Sequence, residues 1–508
     1  MVAAQDQLQK ALIGVGLAFA LLIFAVLLGS VQVLALLGFM AIVWAITLPH
    51  HAKLALVLGS VMMNASLLVP FVSGRPFFWE ASLMLSFSGL PLMFAMRKGA
   101  PDLGERIRYF KWTFVGLLLF LGVVLLLIKV RGFGLNVLGQ GQVGGRAYIS
   151  QFLGALFPFL YLAVPTDRKL LVRIYAVGCL MSVTFVVSDL ALAAGSGPLW
   201  FLLSFFGLST DSLAFEMQSL EGGIRRFQSI AFVTRDINYI LLCLTPAAAS
   251  LTLKSSARLI LIICLMSLGA LGGHRITLVI LPLVMFTSAY FQRTLTVGKI
   301  LLGIAVAVVG ITVAYQTARH LPFAAQRMLS ILPGIEIDPI AQMDADNTAI
   351  GRDVMRRVAK DVMPKFLILG RGLGYVPDLG DLYAHGEIDT YGIVERNLEN
   401  GAFYSGAPSL IVNLGIPGAL GALIFLGSIS RLAIRNLFHI RQHGCSTSFE
   451  RTACHISSLW LVQLAVFLTT TGDAGFLMTT FGLWSGLVLA CHWHLVVKPR
   501  SEEDSETA

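Results

Sequence analysis

Apolar runs that are nearly as long as a bilayer is thick recur along most of this chain. Two of the clearest are centred on residues 117–128 and 300–314, and both extend into apolar flanks. A helix needs about 20 predominantly apolar residues to cross the hydrocarbon core of a membrane. The composition agrees, because 56% of the residues are hydrophobic and only 13% are charged. The sequence therefore predicts an all-α, polytopic transmembrane protein.

The spacing of the apolar runs predicts about 14 membrane spans. The first run has no small-residue cleavage site after it and a second span follows at once, so we interpret it as a transmembrane helix and not a signal peptide. We place the spans at about 11–28, 32–48, 54–73, 80–96, 112–130, 147–164, 172–194, 237–253, 258–272, 276–291, 299–317, 409–428, 457–471 and 474–495.

Lysine and arginine concentrate in the loops on one side of these predicted spans. By the positive-inside rule this side is cytoplasmic, and both termini then lie in the cytoplasm. The formal net charge of +9 is thus accounted for by membrane topology, and we expect no nucleic-acid partner. The basic loops are 97–111, 167–173, 254–258, 293–299 and 431–451.

The sequence offers no pattern for a metal site or an external disulfide. Four cysteines fall in predicted spans and two in a predicted cytoplasmic loop, and none of the spacings suits structural zinc. The triplet "DAD" at 344–346 matches no metal motif, and we interpret it as a solvated turn. We therefore expect neither a metal nor a cofactor. The cysteines are Cys179, Cys243, Cys264, Cys491, Cys445 and Cys454.

Two long segments lie on the opposite, external side, at 195–236 and 318–408. The first begins with an aromatic-rich run that suits the membrane interface. In the second, an apolar stripe with a spacing of four residues predicts a helix over 351–366 that packs on one face. The Gly-, Asp- and Tyr-rich stretch 368–392 predicts a structured external loop. The stripe consists of Ile350, Val354, Val358 and Val362.

An arginine stands within the apolar stretch "SLGALGGHRITLVILPLV" at Arg275, directly after His274. A guanidinium at hydrocarbon depth is costly, so it should face protein, water or an anion. We predict that "GGHR" is an external turn and that Arg275 lies at the N-terminus of the next helix, where free amide groups and the cation form an anion site. The alternative is an interfacial arginine that snorkels to water.

A second basic motif, "GGIRRFQSIAFVTRDINYILL", lies at the predicted external entrance of another span. It contains Arg225, Arg226 and Arg235, with Asn238 close by. External arginines oppose the charge bias, and their planar donor groups suit phosphates. The alternative is ion pairing with the neighbouring acidic residues Glu216, Glu221 and Asp236.

The order of these motifs resembles the bacterial O-antigen ligase and polysaccharide polymerase family. The similar elements are "RRFQSIAFVTRDINYILL", "GGHRITLVIL", "GRDVMRRVAKDVMPKFLILGRGLGYV" and "SLIVNLGIPGALGALIF", between residues 222 and 426. The resemblance implies three regions: N-terminal membrane helices at 1–221, a catalytic core at 222–428 with the external loop 318–408, and C-terminal helices and tail at 429–508. It also implies an undecaprenyl-diphosphate-linked glycan as substrate, at the periplasmic face of the bacterial inner membrane.

The resemblance assigns roles to particular residues. Arg226, Arg275 and Arg352 match family arginines that hold the lipid diphosphate, so we expect them to be catalytic. With arginines in this role, no metal is expected. The further residues expected to bind substrate are Arg225, Arg235, Asn238, His274, Arg356, Arg371, His385, Glu387 and Tyr404.

One position departs from the ligases of this family. Counting back from Gly415 to the place of their His-Asn pair gives Tyr404 and Ser405, so the histidine taken as the ligase base is absent. His385 could substitute for it. The departure favours a polymerase, which joins lipid-linked repeats, over a ligase, which transfers glycan to the lipid A core. We expect a chain-length regulator or other polysaccharide export proteins as further partners.

Two other classes remain as alternatives. A flippase for lipid-linked glycans suits about 14 spans, but transporters usually show related halves and broken helices at the midplane. A membrane scaffold would leave the external arginines without a role.

Overall fold

The fold is all-helical within the part of the chain that the computed structural model describes. That part comprises residues 38, 41–42, 47–69, 75–133, 145–193, 198–207, 228–251, 256–270, 272, 275–373 and 403–498. Its α-helices are α1 His51–Met62, α2 Phe78–Ala95, α3 Leu103–Tyr109, α4 Lys111–Arg131, α5 Gly145–Ala163, α6 Arg168–Leu180, α7 Thr184–Ala193, α8 Gln228–Leu244, α9 Ser256–Ala270, α10 Arg275–Phe291, α11 Val297–Thr317, α12 Phe323–Leu329, α13 Pro339–Val362, α14 Gly406–His443, α15 Ser448–Val466 and α16 Leu477–His492.

Among the described residues, seven helical stretches are long and apolar enough to cross a bilayer, against the 14 predicted spans. The first two predicted spans lie almost entirely outside the described residues. Helices α1, α9 and α10 are apolar but shorter, since 17 residues of α-helix rise only about 25 Å. The seven stretches are Phe78–Ala95, Lys111–Arg131, Arg168–Ala191, Val297–His320, Gly406–His443, Ser448–Thr471 and Ala474–Val497.

The predicted span at 54–73 is wrong in its second half. Helix α1 ends at Met62, and Leu68 forms an antiparallel bridge with Phe77. The sequence of this predicted span contains Pro70 and Gly74, and both residue types oppose a continuous helix.

Helices α4 and α14 form a closely packed antiparallel pair. A Cβ atom on Gly421 would lie 2.6 Å from the backbone nitrogen of Phe120. Such close approach of two backbones is typical of membrane helices with small residues at their contact. Nearer the start of α4, the hydroxyl of Ser428 donates a 2.9 Å hydrogen bond to that of Thr113. These contacts fix the register of the pair.

The predicted cytoplasmic loops come together at one face of the bundle. Lys498 lies 3.8 Å from the carboxylate of Asp102, and the guanidinium of Arg168 donates a 2.6 Å hydrogen bond to the carbonyl of His494. The C-terminal helix thus meets the loops before α4 and α6.

The same face receives the loop between α14 and α15. Arg441 stacks on the ring of Tyr290, with its Cζ 3.8 Å from the ring centroid. Arg451 donates from Nε to the carbonyl of Cys243 over 3.3 Å. The ends of α8 and α10 are therefore also at the basic face.

Helix α13 lies at the opposite face and begins earlier than the sequence predicted. Asp338 caps it by accepting a 2.8 Å hydrogen bond from the backbone of Ile340. Val358 and Val362 are buried, as the apolar stripe predicted, and pack with Phe403 and Val412. Ile350 was predicted in the same stripe but is 53% exposed, because the packing against α14 begins further along α13.

Candidate functional site

Helix α14 is broken near its beginning. Gly415 has φ 71° and ψ 174°, a conformation that is essentially restricted to glycine. Pro417 follows, and it cannot donate a helical hydrogen bond. The backbone of Ile416 instead donates a 2.7 Å hydrogen bond to the carbonyl of Leu367, which lies outside the helix.

The segment 367–373 completes the hydrogen bonding of this break. Arg371 donates from its backbone to the carbonyl of Val412, and Gly372 donates to that of Asn413, each over 2.9 Å. A side chain at Gly370 would collide with the Asn413 carbonyl. The glycine-rich element predicted from the sequence therefore connects α13 and the segment after it, predicted to be external, to helix α14.

The side chain of Arg371 is buried in this junction, with only 1% of its surface exposed. Its guanidinium lies over the ring of Phe403, with Cζ 5.5 Å from the centroid. Arg371 was predicted to bind substrate. In this conformation it is covered by protein, so direct contact with a ligand would require the junction to open.

Helices α4 and α5 hold the other side of the junction. Arg131, at the end of α4, donates from Nε to the carbonyl of Gly370 over 3.3 Å. The backbone of Leu373 donates a 2.9 Å hydrogen bond to the hydroxyl of Tyr148. Neither residue carries a signal of this role in the sequence, because only the fold brings them to this segment.

Arg352 and Tyr404, both predicted site residues, lie together beside the junction. The Arg352 guanidinium lies over the Tyr404 ring, with Cζ 5.9 Å from the centroid. Tyr404 has φ 50°, which is unusual for a bulky residue and is maintained only by surrounding structure. Two residues predicted from the sequence to belong to the site are thus adjacent in the structure.

The Nε atom of Arg352 is buried and has no hydrogen-bond partner among the described residues. Burial lowers the pKa of this guanidinium, Tyr404 opposes that shift, and the positive charge of Arg356 lowers the pKa further. An arginine still remains protonated at neutral pH. The side chain is only partly exposed, and a desolvated donor without an acceptor is unfavourable, so this group is suited to bind an anion.

Arg356 lies one turn along α13 and is exposed. Its guanidinium reaches the carbonyl of Thr469 over 3.4 Å. Close to that carbonyl is a cavity of about 110 Å³ that combines a carboxylate, an amide and two hydroxyls with two aromatic rings. The cavity is lined by Gln463, Phe467, Thr471, Asp473, Phe476 and Thr480.

A third arginine close to Arg352 was not predicted. Arg327 on α12 is buried and forms an ion pair with Asp344. Burial lowers the pKa of Arg327, Asp344 raises it, and the charge of Arg352 lowers it. The prediction of a solvated turn at 344–346 is wrong, since these residues are helical and Asp344 neutralises Arg327. Within the described ranges, no group of three or more His, Cys, Asp or Glu residues could hold a metal ion.

Arg235 and Asn238 lie inside helix α8, whereas the sequence placed them at its entrance. Arg235 donates from Nε to the carboxylate of Asp236 over 2.7 Å. Asn238 donates to the carbonyl of Thr234 over 2.9 Å. Arg235 therefore has the ion pair that was the alternative to phosphate binding, because α8 begins at Gln228 and turns both side chains into the bundle.

Arg235 and Asn238 nevertheless line a small cavity between α8, α9, α10 and α12. Its volume of about 10 Å³ is close to what one water molecule requires. Residues of the second basic motif, on α8, therefore lie next to residues of α9 and α10, the two helices on either side of "GGHR". Its lining consists of Thr234, Arg235, Asn238, Leu265, Met266, Gly269, Leu281 and Met328.

The predicted "GGHR" turn is confirmed in its position. Helix α9 ends at Ala270 and α10 begins at Arg275. Gly272 donates a 3.1 Å hydrogen bond to Gly269. The Arg275 side chain and five other predicted site residues lie outside what the structure describes, namely Arg225, Arg226, His274, His385 and Glu387.

Comparison with known proteins identifies no relative. No protein-family model matches this chain, and no curated protein matches it. The geometry of the arginine site is therefore the basis on which a function can be argued.

Proposed function

We propose that this protein is a polysaccharide polymerase. It transfers a glycan from undecaprenyl diphosphate to another lipid-linked repeat, at the periplasmic face of the bacterial inner membrane. The proposal extends the family resemblance with the contacts around Arg352. Its substrates are lipid-linked oligosaccharides, and a chain-length regulator is an expected partner.

The buried, unpartnered Nε of Arg352 is the observation that carries the proposal. Neither Arg352 nor the exposed Arg356 has a carboxylate within 4 Å among the described residues, whereas Arg327 has Asp344 and Arg235 has Asp236. The two unneutralised arginines are adjacent on one face of α13. A diphosphate supplies the charge and the acceptor atoms that this pair lacks.

The reaction breaks the bond between the anomeric carbon and the diphosphate oxygen, and an acceptor hydroxyl forms the new glycosidic bond. Arginines stabilise the charge that develops on the departing diphosphate. The acceptor hydroxyl loses its proton to a base. The candidate bases predicted from the sequence are His385, Glu387, Asp389, Glu395 and Glu399. Asp473, which lines the cavity with Thr471, is a further candidate.

Transport of a lipid-linked glycan is the second candidate function. Two observations favour it: the break in α14 at Gly415 and the buried Arg235–Asp236 pair on α8. Broken helices and ionisable residues at membrane depth are typical of transporters. The break, however, is filled by the segment 367–373 and encloses no described cavity.

The test uses the purified full chain in liposomes with undecaprenyl-diphosphate repeat units and no lipid A core. A polymerase produces a ladder of longer lipid-linked chains, and the ladder persists with EDTA because arginines neutralise the diphosphate. A ladder that disappears with EDTA would contradict the arginine mechanism but not the polymerase activity. Transfer only when lipid A core is supplied would indicate a ligase, and movement of unextended repeats between leaflets would indicate a transporter.

A further inference from the structure

At the basic face, the paired helices α4 and α14 carry a cluster of three cations, Lys111, Arg431 and Arg435. The Ser428–Thr113 hydrogen bond and the contact of Gly421 with Phe120 define an antiparallel register. Continued by two residues toward the start of α4, that register places Lys111, the first residue of α4, level with Ser430 and therefore next to the level of Arg431 on α14. Arg435 follows one turn later.

The side chains of Lys111, Arg431 and Arg435 are all exposed. Within the described residues, none of the three has a carboxylate within 4 Å. The ammonium of Lys111 lies 5.8 Å from the ring centroid of Trp112. Three cations without a carboxylate partner thus lie toward the same end of the α4–α14 pair.

The helix that carries the two arginines is held rigidly at this level. Oδ1 of Asn436, the residue after Arg435, lies 2.7 Å from Nδ1 of His492. Nε2 of the same imidazole lies 3.1 Å from the hydroxyl of Tyr109. The cations therefore project from a fixed frame, which reduces the ordering cost of binding.

An apolar surface runs from these cations into the membrane. Trp112 is 59% exposed beside Lys111, as is typical of aromatic residues at the headgroup level. Over the next two turns of each helix, the large exposed side chains are aliphatic. They are Val115, Leu118 and Leu119 on α4 and Leu420, Leu423 and Ile424 on α14.

We infer that this surface is a binding site for an anionic phospholipid. The headgroup phosphate is held by Arg431, Arg435 and Lys111, and the acyl chains lie along the aliphatic surface of α4 and α14. A lipid is the occupant that matches both parts, since free phosphate would use the cations and leave the aliphatic surface unaccounted for. The site lies at the face opposite Arg352, so the inference is independent of the glycan reaction.

Native mass spectrometry of the full chain in detergent, titrated with phosphatidylglycerol, tests the site. Basic residues near an anionic surface each contribute about a fivefold effect, so Arg431→Ala/Arg435→Ala should weaken the tightest lipid-binding step roughly thirtyfold. The matched control is Lys98→Ala/Lys169→Ala, which removes two exposed charges from the same face. The control should bind like the wild type.

Phosphatidylcholine and inorganic phosphate complete the experiment. Phosphatidylcholine should bind far more weakly than phosphatidylglycerol, and millimolar phosphate should not displace the bound lipid. Equal weakening by the two double variants would show a general charge effect and overturn the proposal. Displacement by phosphate would also overturn it, since the aliphatic contacts would then contribute nothing.

Discussion

Arg352 holds a charge in a place where the described protein gives its Nε no acceptor. Structural arginines in this chain have different surroundings. Arg327 is paired with Asp344, and Arg235 with Asp236. The contrast between these residues, more than the number of arginines, is the basis on which we propose Arg352 as the anion-binding residue.

Replacement of Arg352 by alanine should lower polymer formation roughly 10²–10³-fold, the loss typical of one donor to a transition-state anion. Lysine should restore only part of the activity, because it lacks the planar pair of donors. Thermal stability should change little, since the side chain is partly exposed and its Nε has no hydrogen bond to lose among the described residues. Polymer formation and unfolding midpoint, measured on the same preparations, check both expectations.

The control for this prediction is Arg357→Ala. Arg357 is on the same helix, but it is exposed and pairs with Asp353 over 3.3 Å, so its removal should leave polymer formation unchanged. Equal losses in the two variants would mean that α13 needs its net charge and that Arg352 has no special role.

The individual site residues could be predicted only in part. Arg352 and Tyr404 were identified from the sequence, and the structure brings them together. The burial of Arg371 could not be predicted, because it depends on a partner segment forty residues away in the chain at Val412 and Asn413. Arg327 carries no local signal either, since its burial follows from the packing of α12 beneath α13.

At the scale of elements, residues 367–373 dock at the break in α14 and so connect the predicted external segment to the bundle. Apolar periodicity across "LIVNLGIPGALGALIF" predicts one continuous helix, and Gly415 and Pro417 were the available signs of an interruption. The early start of α13 also had a sign, because aspartate before proline at 338–339 is a typical helix start. The turn before Arg275 was predicted correctly because Gly-Gly ends the preceding apolar run.

Gly415→Ala should destabilise the protein. A Cβ atom there would lie 2.7 Å from the carbonyl of Ile368, and the backbone conformation alone costs a non-glycine residue about 1–3 kcal/mol. The matched control is Gly427→Ala on the same helix, where a Cβ atom meets nothing within 4 Å. The unfolding midpoint in detergent should fall for Gly415→Ala and stay or rise for Gly427→Ala. An unchanged midpoint for Gly415→Ala would mean that the break does not need glycine.

At the scale of the whole molecule, the described helices separate two chemically different faces. One gathers the basic loops through the contacts of Lys498, Arg168, Arg441 and Arg451. The other face carries α13 and residues 367–373, which fill the break in α14. We expect the basic face to be cytoplasmic, by the positive-inside rule.

Single cysteines at Asp346 and Gln442 test this orientation. Both positions are exposed, on opposite faces. In intact cells an impermeant maleimide should label Asp346→Cys and not Gln442→Cys, and permeabilised cells should show labelling of both. The native Cys445 should contribute little background, because burial raises its pKa to about 12 and leaves little thiolate at neutral pH. Equal labelling in intact cells would contradict the orientation.

The filled break in α14 also constrains the order in which the helices assemble after synthesis. A ribosome makes residues 367–373 before it makes α14, so the donors of Arg371 and Gly372 exist before their acceptors, Val412 and Asn413. A newly inserted α14 has unpaired backbone groups near its beginning until that earlier segment docks, and such groups are unfavourable in lipid. Final assembly of this helix therefore depends on a part of the chain that has already been translated and delivered to the face opposite the basic loops.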